Sequence, residues 1–115
     1  MSTREQSLRP LRDLIRWLPQ LPIKGAHEIN FAAADADLLV AVGDAAEITV
    51  NVLNHGVGAI GHLMANSAVP IEDGSISSDC VESLGYLLAE ISDLAAECMT
   101  LAARCRQMTY DYTPP

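Results

Sequence analysis

Along residues 35–66 the apolar positions fall into two adjacent seams that advance alternately by three and four residues. One runs Leu38, Val42, Ala45, Thr49, Val52, Gly56, Ala59, Leu63. Its neighbour runs Leu39, Gly43, Ala46, Val50, Leu53, Val57, Ile60, Met64. Asp37, Asp44, Glu47, Asn51, Asn54, His55 and His62 fill much of the remaining surface. Such spacing keeps side chains together on a helix and scatters them on a strand, so it predicts one long helix over about 35–66. The pattern resumes in Leu84, Leu87, Leu88, Ile91, Leu94, Ala95, Cys98, Leu101, Ala102 and Cys105, predicting a second helix over about 79–106. Asp79-Cys80-Val81-Glu82 has the form of a capping box at its start, with Ile76 placed for an apolar contact. Arg106 suits its negative end.

The connections follow from the breakers. Residues 67–78, with Pro70 and Asp73-Gly74, read as a turn. Upstream, Leu8, Leu11, Leu14, Ile15 and Leu18 repeat at helical spacing, with Arg9, Arg12 and Arg16 on the other side. Pro10 fits a first helical turn and Pro19 ends the run, which makes a short basic amphipathic helix. Residues 19–25 read as an extended linker, with Pro22 enforcing extension. Residues 1–7 and 107–115 read as flexible tails. The expected fold is all-α: two long antiparallel helices and a short N-terminal one, in a single domain spanning 1–115.

The seams are wider than one neighbour can cover. Each long helix would be about 45 Å long, and a lone hairpin of them would leave apolar surface wet. The N-terminal helix covers part of it. A second copy, completing a four-helix arrangement, would cover the rest, so a homodimer is expected.

Composition agrees with helices. Half of the residues are apolar while aromatics make up only 4%, and β-rich folds draw more heavily on aromatic and β-branched residues. The charge is uneven: residues 25–103 hold twelve Asp or Glu and no Lys or Arg, within a net charge of -8. That balance disfavours nucleic acid and anionic membranes, which both require clustered cations. It suits a solvated acidic surface. No window approaches a membrane span, and the first twenty residues hold charges and prolines where a secretory signal would be apolar. The cytoplasm is the expected compartment. Cys80, Cys98 and Cys105 form no C-x-x-C pair, so neither a metal site nor a disulfide framework is expected. Cys98 and Cys105 lie on the apolar face, where free Cys acts as a small hydrophobe.

One motif competes with the helical reading. Gly56-Val57-Gly58-Ala59-Ile60-Gly61 is a literal G-x-G-x-x-G, and residues 48–53 before it could pass for a strand. A dinucleotide site needs a strand, a helix and a second parallel strand around that motif, with an acid about twenty residues on. Asp79 is near the right distance, but residues 69–78 cannot form a buried strand, and the helical phase runs through the glycines without slipping. As helix, three interior glycines cost about 3 kcal/mol relative to alanine. Compensation would come from close packing, because Gly58, Gly61 and Ala65 make a smooth strip against which another backbone can lie. A kink at 56–58 is the alternative.

Other constellations are thinner. His55 and His62 stand roughly 10 Å apart along a helix, too far to share a metal. His27 falls in the linker. Asp44-x-x-Glu47 and Glu90-x-x-Asp93 are acidic pairs of the kind that hold Mg²⁺ in all-α nucleotide pyrophosphohydrolases. They flank the seams, however, and no Lys or Arg accompanies them to hold a phosphate.

The layout of a short amphipathic start, the acidic helix DADLLVAVGDAAEITVNVLNHGVGAIGHLM, a Pro-Gly turn and CVESLGYLLAEISDLAAECMTLAARC resembles the small helical-hairpin proteins of pseudomonads. Among these are the quorum-sensing anti-activators of the QslA type. The resemblance covers roughly 30–106, rests on architecture and composition, and carries over no functional residue. It implies a non-enzymatic protein that binds a LuxR-type transcription activator and keeps it from dimerising. The residues themselves point to partner binding through Leu39, Val50, Val57, Gly58, Gly61, Met64 and Ala65, with no cofactor and no metal. The competing expectations are a metal-dependent pyrophosphohydrolase using Asp44, Glu47, Glu90 and Asp93, and a purely structural oligomeric bundle.

Overall fold

A computed structural model of the chain describes residues 9–67 and 72–114. The tail at 1–7, the seam position Leu8 and the breaker Pro70 lie outside the described residues. Helix α1 spans Pro10–Trp17, with Pro10 at its first position and Leu14 buried beneath it. A 3-10 turn over Leu18–Gln20 closes it where Pro19 removes the next donor.

The segment expected to be a plain extended linker pairs with the residues after it. Strand β1 (Ile23–Lys24) and strand β2 (Glu28–Ile29) form an antiparallel hairpin in which Ile23 faces Ile29 and Lys24 faces Glu28. The turn between them needs left-handed backbone at Gly25 (φ 56°) and at His27 (φ 69°), a conformation that glycine accepts freely and histidine does not. Two-residue strands are too short to show a period of two, which is why the hydrophobic pattern is silent about them. A 3-10 turn at Phe31–Ala33 follows, with the Asn30 side chain accepting from the Ala33 N–H at 3.3 Å.

Helix α2 runs unbroken over Ala36–Ala65, straight through the glycine motif. Asp35 caps it by accepting from the Asp37 N–H. Helix α3 spans Ser78–Met108. Its cap is Ser77, whose hydroxyl accepts from the Cys80 N–H at 3.2 Å, not Asp79 as the capping-box pattern predicts. Ser77 also stands three residues before a donor in need of an acceptor, and its position decides the start. At the other end α3 runs two residues past Arg106, and Thr109 donates to the Cys105 carbonyl at 2.7 Å. Beyond it the Tyr112 hydroxyl donates to Asp37, tying the C-terminal segment to the first turn of α2.

Helix α2 packs along α3, and α1 packs on α2. Their shared core is Leu14, Leu21, Leu39, Val42, Ala45, Ala46, Cys98, Ala102 and Cys105. Thr49 is buried among them, and its hydroxyl is satisfied by the Ala45 carbonyl at 2.7 Å. At Gly43 a β-carbon would stand 3.0 Å from Cys105 Cβ, so glycine sets how closely the two long helices approach. The molecule extends 59 × 37 × 20 Å. No helix among the described residues is long and apolar enough to cross a membrane.

Candidate interaction surface

All of this core lies at one end of the helical hairpin. None of the described residues in 50–67 or 72–97 is buried. The two seams of α2 part company there. The seam facing α3 stays half-buried at Val50, Leu53, Ile60 and Met64, as do Val81, Leu84, Leu88 and Ile91 on α3. The second seam is buried at Val42, Ala45 and Thr49, then opens to solvent: Val52 is 56% exposed, Leu63 67%, and Gly56 and Ala59 between them are exposed as well. The reason is length. Helix α1 has eight residues and reaches about 12 Å, whereas α2 is about 45 Å long. Whatever lies beyond the reach of α1 loses its third layer.

On α3 the same side carries Tyr86 and Leu87, 68% and 52% exposed. Asp79, Glu82, Glu90, Asp93 and Glu97 are all exposed, and with Tyr86 between Glu82 and Glu90 they recur at three- and four-residue spacing along α3. Toward the core this row continues into Thr100 and Arg104, which line a groove with Lys24, His27 and Phe31. There the Arg104 guanidinium lies 4.9 Å from the Phe31 ring centre, a cation–π arrangement.

The residues singled out from the sequence distribute unevenly over this framework. Leu39 is 2% exposed and belongs to the core, where no partner can reach it. Val50 is half-buried at the boundary between the two halves, and Val57 is 38% exposed. Gly58, Gly61 and Ala65 are exposed, and a β-carbon on Gly56, Gly58 or Gly61 would meet nothing within 4 Å. Within the chain the close approach belongs to Gly43 instead. Met64 is half-buried and lines an apolar cleft of about 320 Å³ at the tip, together with Ile60, Leu63, Cys80, Val81 and Leu84. Val52, Leu63, Tyr86 and Leu87 are exposed apolar positions that sequence reasoning did not select. Their signal was present, since Val52 and Leu63 stand in the second seam. Which seam stays open depends on where α1 ends.

The acidic pairs do not converge. Gly43 faces Cys105 while Met64 shares its cleft with Val81 and Leu84, and this register puts Glu90 and Asp93 about 15 Å along the axis from Asp44 and Glu47. Glu47 is paired with Arg106 across the helices. A four-carboxylate magnesium site therefore does not form from these residues. Among the described residues no three of His, Cys, Asp or Glu cluster to hold a metal. The glycine motif lies within α2, with no strand before it, so it presents no phosphate-binding turn. His27, His55 and His62 are all exposed.

The thiols divide in the same way as the two ends of the hairpin. Cys80 is exposed, while Cys98 and Cys105 are buried and free. Burial raises the pKa of Cys98, with Glu97 adding to the effect, and pushes that of Cys105 up to about 11. In the connection at the tip, the Asp73 carboxylate accepts from the Ser75 hydroxyl and N–H, which holds its pKa below the ordinary value.

Comparison with protein-family models, with curated proteins and with solved structures finds no match to this chain.

Proposed function

We propose that the chain is a non-catalytic regulator that acts in the cytoplasm by binding another protein. In its most specific form, following the resemblance in layout, it is an anti-activator that sequesters a LuxR-type transcription activator. The observation that carries the protein-binding reading is the half of the helical hairpin from which α1 is missing, with Val52, Leu63, Tyr86 and Leu87 in solvent. Apolar side chains grouped on one surface of a small chain favour a partner that removes them from water. An acidic border selects that partner and speeds encounter.

The reading includes a homodimer. Two chains of net charge -8 repel each other, so a second copy meets the first most easily where charge is absent. The strip of Gly58, Gly61 and Ala65 is such a place, and its open β-carbon positions leave room for another backbone.

Co-expression with LuxR-type activators and a promoter reporter tests the proposal. The expected result is a stable complex and loss of activation. Intact activation across such activators, or Mg²⁺-dependent nucleotide turnover that disappears in Glu90→Ala, would overturn it.

A further inference from the structure

We propose that the uncovered half of the α2/α3 face is a docking groove for a basic amphipathic helix of the partner, an assignment that rests on the protein-binding reading above. The chain itself displays what such a face accepts. Helix α1 packs on α2 and turns Leu14 into the core that also holds Val42 and Ala45 of the second seam, while Arg9, Arg12 and Arg16 remain in solvent. The groove continues that interface without a break, because Val52, Gly56, Ala59 and Leu63 are the next members of the seam. This floor runs about 16 Å, three helical turns, so one short helix fills it.

Charge decides the class of helix. The floor has no ionisable side chain on α2. The α3 edge on this side carries Asp79, Glu90 and Asp93, all exposed and in heptad register with Thr100 and Arg104, which line the groove beside Phe31. Residues 25–103 offer no Lys or Arg to neutralise them. An incoming helix with an apolar stripe and Lys or Arg along its flank meets an apolar floor and an acidic wall together. A second copy fits poorly, since its long helices would bring the same acidic edge and its cationic helix α1 is already packed in its own core.

The test uses the full chain and a fluorescein-labelled Leu/Lys amphipathic peptide of about five helical turns, read by fluorescence anisotropy. A second peptide carries Glu in place of every Lys. Helicity of each variant is checked by circular dichroism. The groove predicts that Val52→Ser/Leu63→Ser and, separately, Asp93→Lys weaken binding of the Lys peptide about ten-fold or more. Asp111→Lys, on the C-terminal segment, should change it less than about two-fold. The Glu peptide should not bind. Equal weakening by Asp111→Lys and Asp93→Lys would reduce the effect to net charge and overturn the proposal. So would full binding to Val52→Ser/Leu63→Ser, or dissociation of a wild-type dimer by that double change, which would assign the face to a second copy. The two readings fail separately. Normal repression of an activator by the peptide-deficient variant removes the groove as the partner site and leaves the regulator standing. Absence of repression by the wild type, with the peptide still bound in the groove, removes the anti-activator reading alone.

Discussion

The two ends of the helical hairpin share their helices and their apolar seams, yet one end is a folded core and the other an open surface. Near α1 the chain is three layers deep, with Val42, Thr49 and Cys105 almost fully removed from water. From Val50 outward it is two layers deep, and no described residue of α2 or α3 is buried. The apolar period does not change at the boundary. The second seam passes through it from Thr49 to Val52 with its spacing intact. The exposed surface therefore follows from the limited length of α1 and not from a break in the apolar spacing. The comparison also separates the glycines: Gly43 sits where two backbones meet, and Gly58 sits where nothing does.

Truncating one apolar side chain at each end should separate the two halves most. Leu39→Ala should lower unfolding stability by about 3 kcal/mol, as expected for a fully buried leucine. Leu63→Ala should change it by less than about 0.5 kcal/mol. Urea denaturation followed by circular dichroism measures both, and equal losses would mean that the distal half is covered in solution. A glycine pair is the next test. Gly43→Leu should cost about 1–3 kcal/mol because the new side chain collides with Cys105. Gly58→Leu meets no obstacle and should gain up to about 1 kcal/mol of helix propensity, while sedimentation reports weaker self-association. An unchanged association state would dissociate the small-residue strip from dimer formation.

Titration sharpens the contrast with a smaller effect. The pKa of Cys105 rises from the ordinary 9.0 to about 11 in the folded chain. A raised thiol pKa favours the neutral form, so its stabilising contribution is complete below pH 9 and is lost as pH climbs toward 11. Cys105→Ala should flatten the alkaline slope of stability against pH. Under native conditions at pH 8, a disulfide reagent should modify Cys80 rapidly and reach Cys98 and Cys105 only on unfolding. Three equal rates would contradict the division between the two ends. The least effect belongs to Arg106→Ala, which removes the pair with Glu47. Both side chains are well exposed, so the loss should stay below about 1 kcal/mol and fade with added salt. A larger loss would mean that this pair helps to clamp the core.

Much of the architecture was legible from spacing alone. The two long helices, the short basic one and the uninterrupted helix through Gly56, Gly58 and Gly61 all follow from a period that a strand would have broken. The start of α3 is ambiguous in the sequence, because Ser77 and Asp79 are both competent caps and nothing local ranks them. The β hairpin at 23–29 was invisible, since its strands are two residues long and its turn depends on a left-handed histidine. The surface was legible only in part. A seam shows that side chains share a face, and it does not show which part of that face a neighbour reaches.

What the sequence alone determined is local and periodic: helices wherever apolar positions recur at 3.5-residue spacing, breaks at proline and glycine clusters, and an acidic character without cations from 25 to 103. Tertiary structure decided which members of identical seams became core and which became surface. It buried Leu39, left Leu63 in water, and chose Gly43 over the three glycines of the motif as the point of contact. The physical reason is that burial belongs to pairs of elements. A helix's own residues set the direction of its apolar face, whereas the reach of its neighbours sets how much of that face is covered.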